Sequence, residues 1–197
     1  VLSGLFHLKP EDAWPLIRPL FFEKDIPPLM RAYNSIGKNC PQWVATEMIK
    51  MLDEPQVPVE GKAKLLQLLR ENNCISREAV VAYRRFADAP DYQVRFQAYQ
   101  CLWSEASDES MALLAKKALE GDEWARFCIG GNPDKRLAEA FAKLVAEATE
   151  KKETWVGGYV HCWPTAPGVV EYAEAVGSHY AEAMEAERRR ISETPPD

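Results

Sequence analysis

The amino-acid sequence predicts an all-α protein of roughly eight or nine helices stacked as an irregular array. Apolar residues recur at helical spacing along most of the chain, and short breaks rich in proline, glycine or asparagine separate the periodic stretches. Between residues 41 and 119 no run of residues alternates between apolar and polar side chains, as a half-buried strand would. The order helix, short break, helix therefore favours helices packed on helices.

The N-terminal part of the chain predicts short, irregular helices rich in proline. Pro10 precedes two acidic residues, which is typical of a helix start because acids stabilise the positive end of the helix dipole. Pro15 and Pro19 lie inside that predicted helix, and an interior proline lacks a backbone donor. We therefore expect this helix to be kinked or split. Pro27 opens the next segment, which ends at Gly37.

The middle of the chain carries the clearest helical periods. Residues 62–70 are apolar over more than one face, which predicts an inner position in the stack. Asn72 and Asn73 end that helix, and Ser76 caps the following one. The apolar stripes of the other helices are Val44, Met48, Met51 and Leu52; Ala79, Val80, Tyr83 and Phe86; Val94, Ala98 and Leu102; and Met111, Leu114, Ala115, Ala118 and Leu119.

Two acid–arginine pairs recur in the centre of the chain. Asp91 is followed one helical turn later by Arg95, and Asp122 by Arg126, with the two pairs 31 residues apart. An aspartate can cap the start of a helix, and an arginine one turn later lies on the same face. A period of this length is typical of stacked helical hairpins.

The segment 91–126 resembles a HEAT-type repeat. The resemblance rests on an aspartate before the first helix, a Val94–Arg95 pair in its first turn, Ala98 one turn on, and a leucine-rich second helix. It covers about one repeat and the start of another. It implies an α-solenoid or superhelical bundle in which each arginine reaches a neighbouring loop or acid. The structural repeat residues that it assigns are Asp91, Arg95, Asp122 and Arg126.

The C-terminal part combines a long helix with an unusual loop. Gly130, Gly131 and Pro133 end the preceding helix early, and we interpret the glycines as a helix-to-helix turn rather than an anion-binding loop. The next stripe is Leu137, Phe141, Leu144, Val145 and Ala148. Residues 155–167, WVGGYVHCWPTAP, predict an aromatic loop, and the last helix has the stripe Val169, Ala173, Val176, Tyr180 and Ala183.

These features predict one all-helical domain over residues 1–197. Its parts are the irregular proline-rich helices of residues 1–40, the helical hairpin repeats of 41–131, and the long C-terminal helices of 132–193 with the aromatic loop at 155–167. The apolar content of 47% in 197 residues is enough for a proper core.

Charge and cysteine usage narrow the classes of function. A net charge of −6 disfavours a general nucleic-acid binder and favours a basic partner. Five unclustered cysteines indicate reduced thiols and a cytoplasmic location. No apolar run approaches the roughly 18 residues of a membrane span, and residues 1–8 lack the features of a signal peptide. We therefore expect no membrane association.

The aromatic loop holds the candidate binding residues. Trp155, Tyr159, His161 and Trp163 form a candidate partner-binding site, because tryptophan and tyrosine are enriched at interface hot spots. The alternative is that these aromatic residues close the end of the helical stack. Trp43, Trp103 and Trp124 are interpreted as core or inter-repeat packing.

Reactive chemistry has little support in the sequence. His161 and Cys162 are adjacent, but a zinc site needs four ligands, usually with two at chelating spacing. We therefore predict no metal, no cofactor and no catalytic residue. Paired carboxylates for acid–base catalysis do not stand out from the acidic helix faces.

Three functions remain from these observations. The first is a non-catalytic protein–protein interaction module, such as an adaptor, a chaperone, or an inhibitor of the immunity-protein type. The second is a HEAT-like protein that handles nucleic acid, which requires several cations to share one face. The third is a metal- or thiol-dependent enzyme around His161 and Cys162. The cations of the second hypothesis are Arg84, Arg85, Lys116, Lys117 and Arg95 or Arg126.

Overall fold

The computed structural model describes residues 2–38, 40–159, 162–163, 165–175 and 189. These residues form eleven α-helices and three short 3-10 helices, and they contain no strand. The α-helices are α1 (Leu2–Leu8), α2 (Pro10–Ile17), α3 (Ile26–Ile36), α4 (Gln42–Met51), α5 (Val59–Glu71), α6 (Arg77–Phe86), α7 (Tyr92–Glu105), α8 (Asp108–Leu119), α9 (Glu123–Gly131), α10 (Ala138–Lys151) and α11 (Val169–Ala175). The 3-10 helices are Arg18–Phe22, Lys135–Leu137 and Trp155–Gly158. The all-α prediction is confirmed for this part of the chain.

The helix count exceeds the predicted eight or nine mainly at the N-terminus. Helix α1, which the sequence pattern did not predict, precedes the start signal at Pro10. Helix α2 keeps Pro15 inside it and ends at Ile17, where a 3-10 helix containing Pro19 takes over. The predicted split therefore occurs, because proline cannot supply the donor that would continue the α-helical ladder.

The chain divides into two compact units, residues 1–110 and residues 111–197. In the first unit, α5 packs against α3, α4 and α7, and α7 also packs against α6. The four leucines of α5 are fully buried, which matches the predicted inner position of residues 62–70. They are Leu65, Leu66, Leu68 and Leu69. A helix apolar on several faces needs neighbours on several sides.

The two acid–arginine pairs make parallel local contacts. The Asp91 carboxylate accepts hydrogen bonds from two backbone N–H groups of α7, at 2.8 and 3.2 Å, and Asp122 caps α9 in the same way at 3.0 and 3.1 Å. Arg95 donates to the carbonyl oxygens of residues 89 and 90, and Arg126 to the carbonyl oxygen of Ala118. Each arginine thus ties its helix to the chain that precedes it.

In the second unit, α10 contacts α11 and the two 3-10 helices of this unit. Trp163 stacks on Phe141 of α10 with ring centroids 4.8 Å apart and an interplanar angle of 15°. The Trp163 indole also donates to the carbonyl oxygens of Ile129 and Gly130, at 3.2 and 2.9 Å. Within the described part of the predicted aromatic loop, Trp163 therefore packs against α9 and α10.

Two further expectations concern the last predicted helix and the absence of a membrane span. The last predicted helix is present as α11, but Val176, Tyr180 and Ala183 of its stripe lie outside the described residues. Among the helices that are described, none has both the length and the apolar character needed to cross a lipid bilayer.

Candidate functional site

An open pocket lies between α9 and the chain around the 3-10 helix Trp155–Gly158 in the second unit. Its volume is about 530 Å³. Four aromatic and three charged residues line it, and we call it the aromatic pocket. The lining residues are Glu123, Trp124, Arg126, Phe127, Glu153, Trp155 and Tyr159.

The four aromatic rings contact one another in series. Trp124 and Phe127 have centroids 6.3 Å apart at an interplanar angle of 57°, and Phe127 and Tyr159 are 5.9 Å apart at 86°. Tyr159 and Trp155 are 6.4 Å apart at 59°. Edge-to-face and tilted contacts are favourable because the positive edge of one ring meets the negative face of the next. The rings therefore form inclined walls around the pocket.

A glycine of α9 gives Tyr159 its place in this wall. A Cβ atom at Gly130 would lie 2.7 Å from Cγ and 2.9 Å from Cδ2 of the Tyr159 ring. The ring therefore packs directly on the backbone of the helix, at a distance that no side chain at residue 130 would allow. Partial burial raises the pKa of Tyr159 above its ordinary value, so the phenol is neutral at physiological pH.

The arginine of the pocket already has several partners. Its Nη2 atom lies 3.3 and 3.2 Å from the two carboxylate oxygens of Glu147, and its guanidinium carbon is 5.2 Å from the centre of the Trp155 ring. Glu147 also accepts a hydrogen bond from Lys151. That hydrogen bond and the charge of Arg126 hold the pKa of Glu147 below its usual range. Glu147 thus balances part of the charge of Arg126 and is shared with Lys151.

Two carboxylates add negative charge beside the rings. Glu123 is exposed and makes no ion pair with any residue that the structure describes. Glu153 accepts a hydrogen bond from the Trp155 indole N–H at 2.9 Å, and its backbone carbonyl accepts one from the Tyr172 hydroxyl at 2.8 Å. These contacts fix Glu153 and Trp155 relative to each other.

Of the four predicted binding residues, two line the aromatic pocket, one is buried and one lies outside the described residues. Trp155 and Tyr159 both line the aromatic pocket and are partly exposed. Trp163 is only 5% exposed and belongs to the interior, where its indole N–H is satisfied by backbone carbonyls. His161 lies outside the described residues.

Sequence reasoning did not identify Trp124 and Phe127 as members of the site. Trp124 was interpreted as packing, but it is partly exposed and lines the pocket, and Phe127 is 43% exposed. Trp124 precedes Arg126 in helix α9, and Phe127 follows it. The two aromatic residues are three positions apart, which places them on one face of the helix. That spacing was the available signal. The contact partner, Tyr159, lies too far along the chain for any helical period to reveal it.

The reactive groups considered from the sequence have no supporting geometry in the described residues. No three His, Cys, Asp or Glu residues among them lie close enough to hold a metal ion. Burial raises the pKa of the Cys162 thiol, which lowers its thiolate fraction, whereas a nucleophilic cysteine needs a lowered pKa.

The cations of the nucleic-acid hypothesis each have partners within their own unit. In the first unit Arg84 lies 3.8 Å from Glu109, and Arg85 pairs with Asp53. In the second, Lys116 and Lys117 both pair with Glu120. Exposed ion pairs contribute little stability, but they reduce the positive potential available to a phosphate backbone.

The chain was compared with protein-family models, with curated proteins and with solved structures. None of these comparisons gave a match. The function is therefore inferred from the side chains of the aromatic pocket and the charges around it.

Proposed function

We propose that this protein is a non-catalytic recognition module that binds a lysine side chain from a basic segment of another protein in the aromatic pocket. One observation carries the proposal: four aromatic rings and two carboxylates line the pocket, together with a single arginine that also pairs with Glu147. A ligand entering the pocket meets ring faces and negative charge together. Both favour a cation.

Cation–π attraction and carboxylates act in the same direction here. A cation over an aromatic face gains about 0.5–1 kcal/mol at an exposed site and about 2 kcal/mol when it is desolvated. Glu123 and Glu153 add Coulomb attraction that salt screens over about 10 Å at 0.1 M ionic strength. The same carboxylates would repel an anionic partner. The net charge of −6 supports the choice of a basic partner.

The packing of the helices in the first unit supports a HEAT-like stack as part of this proposal. Helices α3, α5 and α7 pack in series, while α4 contacts α5 and α6, and α6 contacts α7. Two rows of alternating helices are the arrangement expected of an irregular HEAT-like stack. Such a stack would serve as a scaffold for an adaptor, a chaperone or an inhibitor. None of the five cysteines forms a disulfide, which supports a cytoplasmic setting.

A peptide-binding experiment tests the proposal. Isothermal titration with a ten-residue peptide containing four lysines, and with its glutamate counterpart, is carried out at 50 and 300 mM salt. We expect the lysine peptide alone to bind, and its affinity to fall at high salt. The double variant Glu123→Gln/Glu153→Gln keeps the side-chain volumes and should weaken binding several-fold.

A matched control distinguishes binding in the pocket from nonspecific binding to exposed aromatic residues. Trp43 lies in the first unit, is 42% exposed and is not among the residues that line the pocket, so Trp43→Ala should leave the affinity unchanged. Trp155→Ala should reduce it, with circular dichroism confirming that the variant is folded. Equal binding of the lysine and glutamate peptides, or no response to the pocket variants, would contradict the proposal.

A further inference from the structure

We propose that the aromatic pocket selects an ammonium nitrogen that carries methyl groups, supplied by a trimethylated lysine side chain of the partner protein. This inference rests on the proposed function and names the chemical form of the group that the pocket takes.

The inclination of the rings determines the shape that fits. A flat heterocycle binds best in a slot between parallel rings, but successive rings here are inclined at 57°, 86° and 59°. Walls at these angles surround a rounded group from several sides. A tetrahedral methylammonium group presents methyl surfaces in several directions, so each can contact a different ring.

Hydration favours the methylated form over the bare ammonium. A bare lysine ammonium is strongly hydrated and has three donors that must find acceptors when water is removed. Among the lining side chains only Glu123 and Glu153 carry carboxylate acceptors, and Glu153 already accepts from the Trp155 indole. Trimethylation removes the donors and keeps the charge. The aromatic walls can then replace the lost hydration with apolar and cation–π contact.

The wall itself shows that one of its rings accommodates a cation. The guanidinium of Arg126 lies 5.2 Å from the centre of the Trp155 ring. Tryptophan has the strongest cation–π attraction of the aromatic side chains. The indole N–H of Trp155 donates to the carboxylate of Glu153, and this hydrogen bond makes the ring face more negative. Two carboxylates, Glu123 and Glu153, line the pocket with the single Arg126, which also pairs with Glu147, so a second cation meets net attraction there.

Two small molecules of equal shape test this selectivity. Choline carries a trimethylammonium group, and 3,3-dimethylbutan-1-ol has a neutral carbon in place of the nitrogen. Titration of the full chain by isothermal calorimetry should give a dissociation constant for choline about 5- to 30-fold lower than that for the neutral isostere. Ethanolamine, which carries a bare ammonium, should bind more weakly than choline because of its hydration.

Variants locate the binding in the pocket. Phe127→Leu replaces one wall with an apolar side chain of similar bulk and should reduce the preference for choline over its neutral isostere. Trp43→Phe in the first unit should not change that preference. Equal affinity for choline and the isostere would show a merely apolar cavity and overturn the inference, as would the absence of choline binding.

Peptides distinguish failure of this inference from failure of the proposed function. The lysine peptide is compared with the same peptide carrying one trimethylated lysine, and the methylated form should bind several-fold tighter. If the unmodified peptide binds equally well, the pocket recognises a basic segment but the methyl selectivity is wrong. If choline binds and neither peptide does, the pocket takes a methylammonium group, but both the protein partner and its trimethylated lysine are wrong.

Discussion

Replacing Gly130 with alanine is the sharpest test of the pocket geometry. The added Cβ would lie 2.7 Å from the Tyr159 ring, closer than van der Waals contact allows, and the glycine side of the contact is backbone that cannot turn away. Tyr159 must therefore move out of the wall. Gly131 is the matched control, because a Cβ there meets nothing within 4 Å and it belongs to the same end of α9.

The expected change in the free energy of unfolding combines two opposing effects. Alanine is favoured over glycine within a helix by about 0.5–1 kcal/mol, and this gain applies in part to both positions at the helix end. Overpacking at Gly130 costs about 1–3 kcal/mol of the free energy of unfolding. The two variants should therefore differ by about 1–3 kcal/mol. For a chain of this size, that corresponds to a difference in Tm of roughly 2–12 °C, with Gly130→Ala the less stable.

Thermal unfolding followed by near-ultraviolet circular dichroism measures both consequences. The Gly130→Ala spectrum should change already in the native state, since Tyr159 contacts Phe127 and Trp155, whereas Gly131→Ala should retain the native spectrum. The affinity for the lysine peptide should fall in the first variant alone. If Gly130→Ala is as stable as Gly131→Ala and has an unchanged spectrum, Tyr159 does not pack on α9 and the pocket is wrongly described.

Substitutions at two residues and one labelling experiment test other parts of the fold. Asn72→Ala removes two hydrogen bonds to backbone carbonyls and one from the backbone N–H of Cys40, so the free energy of unfolding should fall by about 1–3 kcal/mol in urea titration. Asp122→Ala removes the cap of α9 and should cost about 0.5–2 kcal/mol, whereas Asp122→Asn keeps a side-chain acceptor and should cost less. Burial raises the pKa of the Cys40 thiol to about 11, so iodoacetamide at pH 8 should label it roughly a hundredfold more slowly than a free thiol. Its labelling rate should rise about tenfold per pH unit below that pKa. Mass spectrometry of the native protein should show no labelling of the fully buried Cys101.

The helical architecture could be predicted because its signals are local. Asp91 and Asp122 act as the caps that their positions indicated, since capping involves only the next few residues. The leucines of α5 were recognised as internal because a helix apolar on several faces has no stable solvated side. Helix α1 was not predicted, since seven residues give too short a period to separate from a loop.

The composition of the pocket could be predicted only in part. Trp155 and Tyr159 were identified because an aromatic segment rich in glycine and proline differs from the surrounding helices. Trp163 belongs to the same segment but points to the interior, and this difference follows from the carbonyls of residues 129 and 130, which lie more than 30 residues away in the chain. Contacts over such distances depend on how the elements pack. Residue type alone does not distinguish an aromatic side chain in the core from one in a pocket wall.

Arg126 connects the repeat pattern with the proposed recognition function. Its Nε atom donates to the carbonyl of Ala118, its Nη2 atom pairs with Glu147, and its guanidinium carbon lies over the Trp155 ring, 5.2 Å from its centre. A lysine at this position would keep the charge, but its single ammonium could not reproduce the contact with the ring together with the separate donors to carbonyl and carboxylate. The arginine thus contacts both the end of α8 and the Trp155 ring in the pocket wall. The residue that the repeat spacing predicted to be structural therefore also lines the pocket in which we propose that a cation binds.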